Sequence, residues 1–169
     1  YKEQVQVPED YIDEAYADYL SNVEGQIQNR ISHLMIEKSN YGSSSLAYEE
    51  TNSIYKSIQS KEVSFEDAVS KSSEDLASKD TGGDLGLSSG DAFPEEFESA
   101  ILSMQLNSIS SIIELEDSFH ILKLTEVIKP TIKTKAVVSK ELLDELVDAE
   151  ALALMQDDFL ELESLVLEG

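Results

Sequence analysis

An α+β fold is expected for this chain, a small four-stranded antiparallel sheet surrounded by helices, with a further helix at each end. Three observations lead there. Residues 31–128 alternate strand-like and helix-like stretches in the order β-α-α-β-α-β-β, too irregular for a βαβ repeat. "RISHLMIE" (Arg30 to Glu37) and "FHILKLTEV" (Phe119 to Val127) are apolar at both odd and even positions, as strands covered on both faces are. Three of the seven glycines fall in "TGGDLG" (Thr81 to Gly86), where a backbone of positive φ or very close approach is expected.

The elements follow in order. From Pro8 to Ile27 apolar residues recur at Ile12, Tyr16, Tyr19, Val23 and Ile27, one face of a helix. Its start carries Pro8, Glu9 and Asp10, residues suited to the positive end of a helix. After the strand from Arg30, "SNYGSSS" is a loop by composition. Helical spacing returns from Leu46 to Ser60 through Ala47, Ile54, Tyr55 and Ile58. Ser64, with Asp67 three residues on, opens a short helix by side-chain capping. Asp84 to Leu87 is a short strand, and Pro94 with Glu95 and Glu96 starts a helix that buries Phe97, Ala100 and Ile101. Ser108 to Leu115 and Phe119 to Ile128 are expected as the last two strands, joined tightly through "EDS". Pro130 interrupts, and Ser139 to Leu167 is helical and apolar over a wide face. The expected division is therefore 1–29, 30–129 and 130–169.

Twelve basic residues against 35 acidic ones give a net charge of −23. Residues 1–30 carry two against seven, 31–128 six against 18, and 129–169 four against ten, so the acidity is a property of the whole chain. Such a field repels nucleic-acid phosphates and anionic membrane surfaces. Without cysteine, disulfides and thiol chemistry are excluded, which is compatible with an oxidising compartment. A chain beginning at Tyr1 is expected to be part of a longer protein, with any membrane anchor outside this stretch.

Two histidines exist, His33 and His120, on the first and last strands of the sheet. If those strands are neighbours, both rings project from one face and reach each other. Read alone, each histidine also suits a hydrogen-bonded core position. Phe93 and Phe97 suit the core equally, and Asp75 suits a solvated loop. Taken together, "RISHLMIE", "SFEDAVSKSSED", "GGDLGL", "FPEEFESAILSM" and "FHILKLTEV" resemble, in order and spacing, the parvulin-type (PpiC-type) peptidyl-prolyl cis-trans isomerase domain. The resemblance covers roughly residues 30–128 and implies a parvulin-like four-stranded antiparallel sheet wrapped by helices.

It also implies roles. His33 and His120 match the paired histidines beneath that family's active site, and Asp75 matches the acid or cysteine facing the prolyl bond. Leu85, Phe93 and Phe97 match the residues enclosing the proline ring. Phe93 stands where methionine is usual, and Ser118 stands where a glycine commonly precedes the histidine by two. The implied reaction is rotation about an X–Pro bond, which breaks no bond and calls for neither cofactor nor metal. Amide resonance sets a barrier of about 18–20 kcal/mol, so a groove that favours the twisted state is sufficient. The flanking helices more weakly resemble those of membrane-anchored periplasmic folding factors. That implies unfolded or extended proline-containing polypeptides, exported envelope proteins among them, as partners. The alternative expectation is a catalytically weak parvulin domain that binds polypeptides as a chaperone module.

Overall fold

The computed structural model describes residues 7–167; residues 1–6 and 168–169, parts of the two flanking segments, lie outside the described residues. The element order is α1 (Glu9–Glu24), β1 (Gln28–Glu37), α2 (Ser44–Gln59), α3 (Phe65–Ser72), β2 (Asp84–Ser88), α4 (Glu95–Ile101), β3 (Ile113–Glu114), β4 (Ser118–Ile128) and α5 (Lys135–Leu167). The chain divides into two compact units, Gly25–Pro130 and the segments on either side of it.

In the flanking unit α1 pairs with the start of α5. Tyr16 Oη donates to the carbonyl of Lys133 at 3.2 Å, the Lys133 N–H donates to Tyr19 Oη at 2.7 Å, and Lys135 pairs with Asp13. Val23 and Val138 are buried, whereas Val137, Val147, Leu152 and Met155 of α5 remain exposed. The two ends of the sequence, read separately above, thus form one unit.

Residues 25–130 fold as a four-stranded sheet in the order β2-β1-β4-β3, every neighbouring pair antiparallel. The α+β architecture expected from the sequence is the one observed. The first and last strands occupy the centre because each connection leaves to cover a face. On one face Leu34, Ile36, Phe119 and Ile121 pack with Ala47 and Ile58 of α2 and Phe65, Ala68 and Val69 of α3. On the other, Ile31, Leu122 and Leu124 pack with Phe97 and Ile101 of α4. Each such side chain taken from water contributes about 1.5–3 kcal/mol, which is why both central strands are apolar at successive positions.

Local signals set the helix starts. Ser43 Oγ accepts from the Leu46 N–H at 3.2 Å, and Ser64 Oγ accepts from the Asp67 N–H at 3.0 Å, satisfying donors that have no intrahelical partner. One element departs from expectation. The strand expected over Ser108 to Leu115 is regular only at Ile113–Glu114, with an isolated bridge between Ile109 and Lys123. Asn107 enters with φ 65°, and the Leu122 N–H donates to Ser110 Oγ at 2.9 Å in place of a backbone carbonyl. A side chain has taken a ladder position, and the pairing is interrupted there.

The glycine cluster is explained by β1. Beyond Ser32 the edge of β1 is paired with the loop from α3 to β2 rather than with a strand. The His33 N–H donates to the Gly83 carbonyl at 2.8 Å, and the Glu74 N–H donates to the Met35 carbonyl at 2.9 Å. Gly83 has φ 81°, and a Cβ there would lie 2.2 Å from the His33 carbonyl oxygen. Gly86 has φ 84° but open space around it. Gly83→Ala is therefore expected to destabilise the domain by about 3 kcal/mol or more, combining left-handed strain with backbone overlap. Gly86→Ala carries the strain alone and is expected to cost about 1 kcal/mol. Urea unfolding of the two variants measures the difference; equal losses would contradict the close-approach account.

Candidate functional site

The register of β1 against β4 places His33 opposite Leu122 and His120 opposite Met35. The two histidines are therefore diagonal neighbours on the same face of the sheet. Their rings stack with centroids 5.2 Å apart, and Nδ1 of His33 lies 3.1 Å from Nδ1 of His120. Both residues are buried, at 5% and 4% exposure. Asp75 comes from the loop held against β1, and its Oδ2 is 2.7 Å from His33 Nε2. Ser78 Oγ donates to Asp75 Oδ2 at 2.5 Å, and the Ala77 N–H donates to Asp75 Oδ1 at 3.2 Å. At the other end Ser118 Oγ lies 2.7 Å from His120 Nε2.

With both rings neutral, these contacts fix the proton positions. A carboxylate only accepts, so His33 Nε2 carries the proton donated to Asp75. His33 Nδ1 of the neutral ring is then an acceptor, and His120 Nδ1–H donates to it. His120 Nε2 is left as an acceptor for the Ser118 hydroxyl. One directional chain, Ser118 to His120 to His33 to Asp75, thus satisfies every ring nitrogen with both imidazoles neutral.

Electrostatics agree with this assignment. Burial, with His33 as a second cause, pushes His120 down to about 4, the charge of Asp75 only partly opposing it. For Asp75, burial pushes upward, but hydrogen bonds from Ser78, His33 and the Ala77 N–H more than offset it, so the carboxyl lies below its usual value. Burial holds His120 uncharged, and the partly exposed carboxylate of Asp75 at the rim is held charged.

Phe97, 2% exposed, sets its ring edge-to-face against both imidazoles, at 4.9 Å from His120 and 6.4 Å from His33. It forms the floor beside the histidines rather than an open wall. Leu85 and Phe93 are half-buried and pack on the cluster containing Phe97, Ile101 and Leu122. Phe93 is held by its backbone, whose N–H donates to Glu98 Oε1 at 3.0 Å. The same carboxylate oxygen accepts from Ser88 Oγ at 2.5 Å, and Ser88 Oγ in turn accepts from the N–H groups of Gly90 and Ala92. The loop carrying Phe93 is therefore built around a buried hydroxyl and one glutamate.

All six residues singled out in the sequence lie on or beside this one face of the domain. Three further participants, Ser78, Ser118 and Glu98, were not assigned contacts from the sequence. Ser118 had a signal in its replacement of glycine, and Ser78 in its position three residues after Asp75; Glu98 had none. A separate cavity of about 580 Å³, bordered by Ile58, Val63, Phe65, Asn107, Ile109 and Lys123, lies at the α2–α3 turn and includes none of these residues. Among the described residues no group of three or more His, Asp and Glu side chains is arranged to hold a metal ion.

A family model for rotamases, the PPIC-type PPIASE domain, matches residues 33–126, more than half of the chain. The chain belongs to this family of peptidyl-prolyl isomerase domains. Foldase protein PrsA 2 of Bacillus cereus is 36% identical over 85 residues, 49% of this chain and 30% of that protein. A parvulin-like PPIase of Rickettsia felis is 28% identical over 143 residues, 83% of this chain and 47% of that protein. The crystal structure of the peptidylprolyl isomerase PrsA from Bacillus anthracis superposes with a TM-score of 0.51 at 28% identity, covering 82% of this chain and 56% of that one. The chain thus spans about a third to a half of the length of these two curated relatives.

The burial of His120 has a consequence for stability. In the unfolded chain His120 titrates near its ordinary value of 6.5, and in the folded domain near 4. Between these pH values the unfolded state binds the proton and the folded state does not, so stability is full above about 6.5 and is lost as pH falls toward 4. The loss attributable to this group is on the order of 3 kcal/mol. Asp75, lowered in the folded state, adds loss in the same direction at still lower pH. Unfolding free energies measured between pH 7.5 and pH 4.5 (about three units) are expected to fall steeply, and less so in His120→Asn. An equally steep fall in that variant would place the linkage elsewhere.

Proposed function

We propose that this domain catalyses cis-trans isomerisation of X–Pro bonds in extended or unfolded polypeptides, with His33, Asp75 and His120 as its polar centre and Leu85 and Phe93 as its proline-binding wall above a floor formed by Phe97. The observation that carries this reading is the ionised Asp75 carboxylate set at the end of a buried, hydrogen-bonded imidazole pair, beside half-buried apolar side chains. Family membership supplies the reaction class.

The chemistry follows from the amide itself. In the planar ground state resonance places negative charge on the carbonyl oxygen and positive charge on nitrogen; twisting the C–N bond removes both. A fixed carboxylate near the carbonyl oxygen opposes the planar charge distribution more than the twisted one, so it lowers the barrier. Asp75 is the charged group available for that task. His33 is its positioning residue, and His120 and Ser118 hold His33 in the required tautomer. The apolar wall grips the pyrrolidine ring while the flanking peptide turns. Each tenfold acceleration corresponds to about 1.4 kcal/mol, within reach of one well-placed charge.

The natural substrates on this reading are proline-containing segments of exported envelope proteins, met before they fold. The location is periplasmic, with the full-length protein held at the inner membrane by an anchor outside this stretch. The resemblance of the flanking helices to those of anchored folding factors supports this. No described helix is long and apolar enough to cross a membrane. The second reading, a domain that mainly holds polypeptides, is favoured by the exposure of Leu76 at 83% and Leu102 at 88%, surfaces the isomerase reaction does not require.

Asp75→Ala separates the two. Its kcat/KM on a short Ala–Pro peptide, followed by a protease-coupled or exchange NMR assay, is expected to fall about tenfold to a hundredfold. Its suppression of aggregation of a proline-free unfolded client is expected to stay unchanged. Full isomerase activity in Asp75→Ala would remove the carboxylate from the mechanism.

A further inference from the structure

The proposed groove lies in a strongly acidic part of the domain. Residues 74–98 hold eight carboxylates and a single lysine. Asp91, Glu95 and Glu96 are exposed and stand within three residues of Phe93, and exposed Asp80 lies between Asp75 and Leu85. Asp84, beside Leu85, has a side chain 37% exposed. The neighbouring cations are already engaged. Arg30 lies between Asp84 at 3.5 Å and Glu126 at 3.8 Å. Lys38 Nζ donates to Glu114 Oε1 and to the carbonyls of Leu115 and Glu116. Lys79 is half-buried beside the Asp75 turn, leaving one positive charge against this rim.

The start of α4 can carry such a cluster because its positive end, roughly half a charge, favours acids in the first turn. Glu95 and Glu96 together exceed that half charge, so the rim remains negative. Asp91 and Glu95 stand two residues from Phe93 and Asp84 is next to Leu85, so a peptide passing those two side chains lies in the field of these carboxylates. Their field extends over a Debye length of about 8–10 Å at ordinary ionic strength.

We infer that this groove selects prolyl segments with lysine or arginine beside the proline and discriminates against aspartate, glutamate or a phosphorylated residue there. The inference rests on the isomerase reading above and adds a substrate class to it. The carboxylates act on encounter and binding rather than on the twisted bond, so the preference belongs in KM and fades with salt, leaving kcat nearly constant.

The experiment compares three otherwise identical peptides with Lys, Ala or Glu before proline, at ionic strengths of about 0.02 M and about 0.5 M. At low salt kcat/KM for the Lys peptide is expected to exceed that for the Glu peptide about five- to twentyfold, carried by KM. At high salt the ratio is expected to fall to about twofold or less. In the double variant E95Q/E96Q, where the helix start keeps its shape but loses two charges, the low-salt ratio is expected to drop at least by half. Equal turnover of the three peptides, or preference for the Glu peptide, overturns the inference while leaving the isomerase reading intact. A salt-sensitive Lys preference untouched by E95Q/E96Q and by Asp91→Asn overturns the assignment to these carboxylates. Failure to turn over any of the three overturns the isomerase reading and this inference with it.

Discussion

The pairing of β1 with β4 is the interaction on which the rest of the domain depends. Two strands more than 80 residues apart in the chain lie side by side, and over most of their length both faces are covered. One face closes the core with α2 and α3, and the other closes it with α4 while exposing two imidazoles to each other. A slip of one residue in register would send the histidines into the α2–α3 core and Leu34 and Ile121 toward the candidate site. The apolar content of both faces makes that slip costly, so the site geometry is enforced by packing rather than by the polar contacts themselves.

Given that frame, the polar groups form a chain with no loose end. Buried histidines are costly when charged, and here each ring nitrogen has a partner that the neutral form satisfies. The carboxylate of Asp75 sits at the exposed end of the chain, where two hydroxyl or ring donors and a backbone N–H hold it. The loop bearing Asp75 is positioned by backbone pairing to β1, and Gly83 allows that approach. Fold and candidate chemistry are thus linked through one close contact between two stretches of main chain.

Much of this was legible in the sequence, for physical reasons that can be named. Continuous apolar runs around His33 and His120 announced central strands, and long connections on both sides of the sheet announced their adjacency. Ser64 with Asp67, and Pro94 with two glutamates, marked helix starts because orphan N–H groups have few ways to be satisfied. What escaped was what depends on side-chain torsions and on single irregular positions. Ser78 and Ser118 are two of many serines, and only the coordinates show which hydroxyls reach a ring nitrogen or a carboxylate. The break in the strand over Ser108 to Leu115 turns on one serine side chain taking a backbone acceptor's place, which no pattern of apolar residues reveals. Apolar stripes on the two flanking helices mark each other as one of several possible partners, and the contacts that select this pairing, tyrosine hydroxyls meeting the main chain at Lys133, carry no sequence signal.

The central claim is the direction of the hydrogen-bonded chain and the neutrality of His120. Nitrogen-15 NMR of the two histidine rings at neutral pH tests it directly, because protonated and unprotonated ring nitrogens resonate far apart. The account predicts the Nε2–H tautomer for His33 and the Nδ1–H tautomer for His120. A doubly protonated ring at His120, or the opposite tautomer at either residue, would contradict it.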